Sequence, residues 1–308
     1  MLTVFSTPKP FHGHSGIIQR NALKSWALLH PDVEVILFGD EDGTAETCQD
    51  LGIRHEPQVR RNENGTKYLN HIFDRAYEIS RHNILCYANC DIMLGSDFRA
   101  ALELTTKTYS EFLMIGRRWD TNITEPWDFR QADWDHKLRS LALHTGKRNG
   151  PKWVDYFCFS RDLYYRKMPP FLIGRHGWDP WLTWYARKSN VGLIDASRMI
   201  VAVHQNHDYA YLKEGTASLH AHEEQLYNLS LGSDRAFHYY TVDAATDRLL
   251  RGHLRANRWA WLGPIKSRVT LGSYRIWFSF LNITRPIRQR LGLRGQSLAN
   301  KPWGRQRS

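Results

Sequence analysis

The chain has 308 residues, of which 42% are apolar, and this is long enough for one large core or two small ones. No segment reaches the roughly 18 consecutive apolar residues of a membrane-spanning helix. The opening segment MLTVFSTPKP has no charged leader and predicts a strand rather than a signal peptide. The four cysteines have no metal-ligand spacing, so we expect them to be reduced and buried, as in a cytosolic protein.

The net charge of +11 is concentrated at the C-terminal end. Residues 248–308 hold 14 of the 42 basic residues and none of the 31 acidic ones, which leaves residues 1–247 with a net charge of −3. We therefore predict two parts, a nearly neutral domain over 1–247 and a basic, aromatic-rich tail over 248–308. A charge asymmetry of this kind suggests an anionic partner for the tail.

Strand-like and helix-like segments alternate regularly along the first ninety residues. Apolar, β-prone runs predict strands, and apolar residues at helical spacing predict helices between them. The predicted strands cover 2–6, 33–38, 53–55 and 84–88, and the predicted helices cover 16–30, 44–52 and 67–80. This alternation predicts an α/β fold in which helices flank a mostly parallel sheet.

After Leu94 the pattern changes. We predict strands over 111–120, 153–160, 191–197 and 199–207, and a helix over 178–188. The segment between the first two of these strands is rich in Trp, Asp and Arg, and its pattern assigns it to no element.

Polar residues follow several predicted strands directly. Asn89 and Asp91 interrupt the apolar stretch LCYANCDIML, Asp40 follows the second strand, and the loop STPKPFHGHS follows the first. In open α/β sheets, ligands bind at the carboxyl ends of the strands. A turn would also favour Asn and Asp, but the flanking apolar runs favour a binding site for Asp91.

Five segments, in this order, resemble the nucleotide-sugar glycosyltransferases of the GT-A fold, and of family 2 in particular. They are FSTPKPF, LFGDEDG, YANCDIML, GWDPWL and VHQNH, and they cover roughly residues 1–210. The resemblance implies a Rossmann-like sheet. It also implies transfer of a sugar from a nucleoside-diphosphate sugar to a hydroxyl of a glycan or a lipid-linked saccharide.

The resemblance also implies a metal site. In that family an Asp-x-Asp motif ends the fourth strand, and its last Asp binds a divalent cation, Mn²⁺ or Mg²⁺. Asp91 matches this position, whereas Asn89 departs from the first one and adds no charge to the site. A hard cation offsets the negative charge that grows on the β-phosphate as the sugar leaves. His204 matches a late histidine ligand of the family, and His207 lies close enough to compete for this role.

The family's donor site implies further contacts with the nucleotide. The expected donor-binding residues are Thr7, Pro8, Asp40, Lys67, Asn89 and Asp91. Asp40 would accept a base N–H, with an ordinary acidic turn as the alternative. Lys67 would meet a phosphate, with a solvated side chain as the alternative.

Inverting members of the family use a carboxylate near a helix start as the general base, and Asp179 matches it. The alternative is a helix N-cap, because Asp favours that position and Pro180 suits a first turn. Trp119, Asp155 and Trp178 are expected on the acceptor side. Core packing is the alternative for each tryptophan.

Other classes of protein remain open. A sugar nucleotidyltransferase would carry a glycine-rich basic loop, which STPKPFHGHS lacks. A metal-dependent hydrolase or nuclease would use His12, His14, His204 and His207 as a zinc site, but these residues follow no dense ligand motif. A non-catalytic nucleotide-sugar-binding protein would also explain Asn89.

The tail interleaves Arg and Lys with Trp, Phe and Leu, as segments in a membrane interface do. We expect it to bind an anionic membrane surface, which would place a cytoplasmic protein on the inner face of the membrane. A subdomain folded back on the body and a nucleic-acid-binding tail are the alternatives, and the density of Trp and Phe favours the membrane.

Overall fold

The computed structural model describes residues 1–207, 215–231, 235–250 and 252–269, without the side chains of 215–220 and 235–236. Its strands are β1 (Leu2–Ser6), β2 (Val33–Phe38), β3 (Arg54–Glu56), β4 (Ile84–Ala88), β5 (Ile92–Met93), β6 (Phe112–Thr121), β7 (Lys147–Arg148), β8 (Val154–Ser160), β9 (Gly192–Asp195), β10 (Ala202–Gln205), β11 (Asp247–Leu250) and β12 (His253–Ala256). Its α-helices are α1 (Gly13–Ala27), α2 (Thr44–Leu51), α3 (Leu69–Ile79), α4 (Ser96–Thr108), α5 (Trp134–Thr145), α6 (Trp178–Lys188) and α7 (Gly215–Ser230).

The strands form one sheet in the order β12-β11-β9-β6-β8-β4-β1-β2-β3, with β5, β7 and β10 off this path. Within this order β8 and β12 run opposite to the other strands. The parallel neighbours β1 and β4 lie at the centre of the N-terminal half. The predicted α/β fold with a mostly parallel sheet is therefore confirmed.

Helices cover both faces of the sheet, because the strands send alternate apolar side chains to opposite sides. In β1, Phe5 packs with α3 and α6 on one face, while Val4 packs with α1 and α4 on the other. Trp26 of α1 is fully buried, and its indole N–H donates to the carbonyl of Ile92 at 2.8 Å. These two clusters fix the positions of the strand ends that carry the site.

The segment that the sequence pattern did not assign contains α5 and the short strand β7. Leu138 and Ala142 of α5 are buried in a third cluster with Met93 and Val203. Because β10 pairs with both β5 and β6, this small layer holds the end of β10 against the loop that follows β4. Trp134 and Leu141 pack against the same cluster, so the apolar residues of α5 do follow helical spacing over 134–142.

The strand β11 crosses the predicted boundary at residue 247. It pairs in parallel with β9 and antiparallel with β12, and Leu249 is fully buried. The beginning of the basic segment thus belongs to the sheet, while residues 262–269 form a helical stretch beyond it. The rest of the predicted tail, 270–308, lies outside the described residues. Within the residues that the structure describes, no helix combines the length and apolarity needed to cross a bilayer.

Candidate active site

The candidate site lies at the carboxyl ends of β1, β4, β6 and β10. The antiparallel strand β8 starts at this same edge, since Ala88 of β4 pairs with Tyr156. The loop after β4 is fixed by the backbone bond from the N–H of Asn89 to the carbonyl of Asp155, at 2.9 Å. Residues that are far apart in the sequence therefore meet at one edge of the sheet.

Asp91, His204 and His207 form the candidate metal site. The Nε2 atom of His207 is 3.1 Å from Oδ2 of Asp91, and Nε2 of His204 is 3.7 Å from the same oxygen. One ligand atom from each residue fits within 4.8 Å of the others. A carboxylate with two imidazoles suits a divalent transition metal such as Mn²⁺. Asp91 and His204 thus lie together as expected, and His207 joins them.

The surroundings of Asp91 also fit a cation. Its Oδ1 atom is buried, yet no hydrogen-bond donor of the described residues reaches it. Burial raises the pKa of this carboxyl, but the hydrogen bond with His207 and the charges of His204, His207 and Lys9 outweigh burial and lower the pKa to about 2. The group is therefore a carboxylate with one free oxygen, which is what a metal ligand requires.

A second carboxylate stands behind His204. Nδ1 of His204 is 3.0 Å from Oδ1 of Asp120, although the two groups are not aligned for a full hydrogen bond. The same oxygen of Asp120 is 3.0 Å from Nε of Arg118. A carboxylate beside one ring nitrogen leaves the other nitrogen to face the ligand site. Asp120 is thus placed to orient His204 towards Asp91.

Arg118 connects this pair to the loop after β4. Its guanidinium is buried and donates from Nη1 to Oδ2 of Asp155 at 3.0 Å, and it lies 4.5 Å from the centre of the Trp153 ring. Asp155 in turn accepts a hydrogen bond of 2.8 Å from Nδ2 of Asn89. Asp155, predicted on the acceptor side, therefore holds Asn89 and Arg118 in place.

Lys67 is buried between the loops that follow β1 and β2 rather than solvated. Its Nζ atom is 2.5 Å from the hydroxyl oxygen of Thr7, 2.5 Å from Oε1 of Glu41 and 3.3 Å from the carbonyl of Pro8. Burial lowers the pKa of Lys67, while the contact with Glu41 opposes this effect. The alternative of a solvated lysine is wrong, and the predicted donor residues Thr7, Pro8 and Lys67 are neighbours.

Asp40 lies on the surface beside this cluster. Its side chain is 68% exposed and pairs with Arg61 at 2.5 Å, which holds the pKa of Asp40 below its ordinary value. Its neighbour Glu41 is the carboxylate that faces inwards, with one oxygen buried and without a hydrogen-bond partner among the described residues. The acidic turn thus presents Glu41 to the interior, and the role of Asp40 towards a base stays a prediction.

Asp179 lies in the first turn of α6, but it is not the N-cap. The helix begins at Trp178, and Gly177 is the capping residue, with a φ of 121° that favours glycine. Burial raises the pKa of Asp179 to about 7; the charge of Asp155 adds to the rise, and backbone hydrogen bonds of Asp179 and Gly177 oppose it. The capping alternative is therefore wrong, and a carboxyl that titrates near neutrality remains as a candidate base.

The two predicted acceptor-side tryptophans differ in position. Trp178 is buried and packs against Tyr87 and Phe157, with ring centres 5.3 and 5.4 Å away. Trp178 is therefore a core residue, which is the alternative to its predicted position on the acceptor side. Trp119 is partly buried, and the guanidinium of Arg148 lies 6.0 Å from its ring centre. Its role towards an acceptor stays a prediction.

The four histidines of the alternative zinc site do not assemble. His12 pairs with Asp42 at the surface at 3.0 Å, and the ring of His14 is 3.0 Å from the carbonyl oxygen of Ile123. Within the described ranges, the group of potential metal ligands contains His204 and His207 but neither His12 nor His14. The observed cluster is instead centred on Asp91.

Sequence reasoning gave Arg118, Asp120 and Glu41 no individual roles at the site. The first two stand at positions i and i+2 of β6, and side chains at this spacing share one face of a strand. That spacing within GRRWD was the available signal. No signal distinguished Glu41 from Asp40, because the direction in which each side chain turns depends on the packing of the loop.

No family model matches this chain, and no curated protein matches it. Among solved structures it is similar to glucosyl-3-phosphoglycerate synthase of M. tuberculosis, with 15% identity over 76% of this chain and 82% of that one and a TM-score of 0.43. Complexes of that enzyme contain Mg²⁺ and UDP, or Mn²⁺, UDP and glucosyl-3-phosphoglycerate.

The chain is also similar to S. aureus TarS in complex with UDP-GlcNAc. The identity is 9% over 79% of this chain and 69% of that one, and the TM-score is 0.46. At this identity and TM-score, the similarity gives no information about the chemistry of this chain.

Proposed function

We propose that this protein is a metal-assisted glycosyltransferase that uses a nucleoside-diphosphate sugar. The observation that carries the proposal is the carboxylate–histidine cluster of Asp91, His204 and His207 at the carboxyl edge of a mostly parallel sheet. Nucleotides bind at this edge in open α/β folds, because strand ends and loops leave a crevice there. A divalent cation bound at this cluster would offset charge on the departing diphosphate.

The protein's own residues would divide the remaining work. The buried cation of Lys67, next to the loop of Thr7 and Pro8, supplies positive charge at the end of β1. Asn89 presents an amide held by Asp155 to the same edge. Together with Asp40 and Asp91, these residues are the proposed donor-binding set.

Asp179 is the proposed general base. In its ionised form it would take the proton of the acceptor hydroxyl as that oxygen attacks the anomeric carbon, and the diphosphate would leave from the opposite side with the bonding electrons. This geometry inverts the anomeric configuration. A base with a pKa near 7 is well matched to this step, since the carboxylate is present at neutral pH and still accepts a proton. The proposed acceptor is a glycan or a lipid-linked saccharide.

A screen of nucleoside-diphosphate sugars by thermal shift, with and without Mn²⁺, tests the proposal. A donor at 100 times its Kd should stabilise the fold by about 2.7 kcal/mol. Hydrolysis of the same donor, measured with Mn²⁺ and with EDTA, should require the metal. Stabilisation without turnover would favour a non-catalytic binding protein, and cleavage of DNA or RNA instead of a sugar nucleotide would favour the nuclease alternative.

A further inference from the structure

The segment after β12 turns its large apolar side chains towards the outside. Trp259, Trp261, Ile265 and Val269 are each at least half exposed, within eleven consecutive residues. Leu28 and Leu143 are also exposed, but Leu28 follows the end of α1 and Leu143 lies on α5. We call these four residues the outward patch.

The inner side of the same segment carries small residues. Ala260, Gly263 and Ser267 are the buried ones, at helical spacing along 260–267. A Cβ on Gly263 would lie 2.5 Å from the carbonyl oxygen of Asp243, so the segment approaches the body more closely than any other residue would permit. Its position is therefore fixed by backbone packing.

A hydrogen-bonded turn anchors the beginning of this segment. The N–H of Asn257 donates to the carbonyl of Thr246 at 2.7 Å, and its side-chain amide donates to the carbonyl of Ala245 at 2.8 Å. A helix on a water-exposed surface normally buries its large apolar residues and exposes polar ones. In the helical stretch 262–269 the arrangement is reversed, since Ile265 and Val269 are exposed while Gly263 and Ser267 are buried.

The charges around the outward patch have one sign. Arg258, Lys266 and Arg268 are exposed in this segment, Arg255 is exposed in β12 just before it, and residues 248–308 contain no acidic residue. Two acidic residues adjoin this segment and β12, and both have partners in the body: Asp243 pairs with Arg117 at 3.4 Å, and Asp247 accepts from the hydroxyl of Tyr109 at 2.8 Å. The surface therefore combines indole and aliphatic groups with an excess of positive charge.

We propose that the outward patch and its four cations bind an anionic lipid bilayer. The tryptophans and aliphatic side chains enter the headgroup boundary, where an indole buries its apolar ring and keeps its N–H hydrated. The cations approach the lipid phosphates, an attraction that decays within a Debye length. An anionic bilayer accounts for both the exposed apolar side chains and the positive charge of this surface. A nucleic acid would account for the charge but not for the aliphatic residues.

Flotation of the full chain with vesicles tests the inference. The chain should float with vesicles of phosphatidylcholine and phosphatidylglycerol, and much less with phosphatidylcholine alone or at high salt. Trp259→Ala with Trp261→Ala should reduce the partition coefficient about ten-fold or more, since apolar area stays in water. Each replacement of Arg258, Lys266 or Arg268 by Gln should reduce it about five-fold.

Leu28→Ala with Leu143→Ala is the matched control, because it removes two exposed apolar side chains elsewhere, and it should float like the wild type. Donor hydrolysis in solution should be unchanged in all these variants, which separates this inference from the proposed function. Two results would overturn the inference. One is absence of flotation with the anionic vesicles at low salt; the other is undiminished flotation of both the tryptophan and the glutamine variants, which would assign binding to residues 270–308 alone.

Discussion

The side-chain amide of Asn89 donates a hydrogen bond of 2.8 Å to the carboxylate of Asp155. Asp155 is mostly buried and takes its other bond from Arg118 at 3.0 Å. An amide is the residue type that this neighbour requires, because a carboxylate at position 89 would face a second carboxylate at hydrogen-bond distance. The departure of this chain from an Asp-x-Asp pattern thus has a physical cause in its own packing.

Changing Asn89→Asp should therefore weaken the protein, although it restores the pattern of the resembled family. Two carboxylates at this distance cannot both ionise freely, and a partly buried group that loses its partner costs about 1–3 kcal/mol. Thermal unfolding at pH 7 should show this loss as a lower Tm. Combining Asn89→Asp with Asp155→Asn should recover most of the stability. A gain in stability or in Mn²⁺ affinity from the single change would contradict this account.

Asp91→Asn should abolish metal binding and sugar transfer while the fold persists. The amide keeps the size of the side chain but removes the charge and offers a poorer ligand to a hard cation. Mn²⁺ binding followed by electron paramagnetic resonance, together with transfer assays, provides the measurement. EDTA should inactivate the wild type in the same way. Full activity in EDTA would refute the dependence on a metal and leave the fold assignment untouched.

Asp120→Asn should weaken Mn²⁺ binding without removing a ligand. Asp120 approaches Nδ1 of His204 at 3.0 Å, and loss of such an outer carboxylate typically costs 10- to 100-fold in metal affinity. Titration of the protein with Mn²⁺ in the absence of substrate measures the effect directly. Asp128→Asn, which alters a surface pair with Arg130 at 2.9 Å, serves as control. Equal affinities in the two variants would show that Asp120 does not orient His204.

Asp179→Asn should lower kcat by about 10²- to 10⁴-fold, the usual contribution of a general base, with little change in donor affinity. In the wild type, kcat/KM should rise with pH up to about 7, because the carboxyl pKa of about 7 must be exceeded before the base is ionised. This ascending limb should be absent in the variant. An unchanged pH profile with normal kcat would exclude Asp179 as the base.

The raised pKa of Asp179 should also make the free energy of unfolding depend on pH. Its pKa is about 7 in the folded protein and 3.8 in its ordinary state, so between these values the folded chain holds a proton that the unfolded chain has released. The contribution of Asp179 to the free energy of unfolding therefore falls as pH rises from about 4 to about 7. Urea unfolding should therefore show that the wild type loses stability relative to Asp179→Asn as the pH rises across this range.

Glu41→Gln should destabilise the protein strongly. Lys67 is 4% exposed and Glu41 13%, so removal of the anion leaves a buried cation without compensation, which typically costs about 3–5 kcal/mol. Replacing both residues, as Glu41→Leu with Lys67→Met, should cost much less, since no charge remains buried. Urea unfolding of both variants decides the matter. A small effect of Glu41→Gln would mean that water or other groups compensate Lys67.

The sequence by itself determined the elements and their order. The apolar runs predicted β2 and β4 with their observed bounds, and the spacing of apolar residues predicted α3 and α6. These predictions succeeded because periodicity reports which side of an element is buried, and burial is the dominant favourable term in folding. Polar residues directly after β4, notably Asp91, could be assigned to the sheet edge for the same reason.

The tertiary structure alone decided which polar groups meet. The antiparallel insertion of β8 beside β4 brings Asp155 to Asn89, and the parallel pairing of β10 with β6 sets His204 opposite Asp120. Pairing of strands depends on contacts between residues far apart in the chain, and no local pattern encodes it. The packing of loops decided three further features: the burial of Glu41 and Lys67, the exposure of Asp40, and the position of Gly177 rather than Asp179 as the helix cap. The residue types in these loops would also permit the opposite arrangements, so the sequence alone could not predict them.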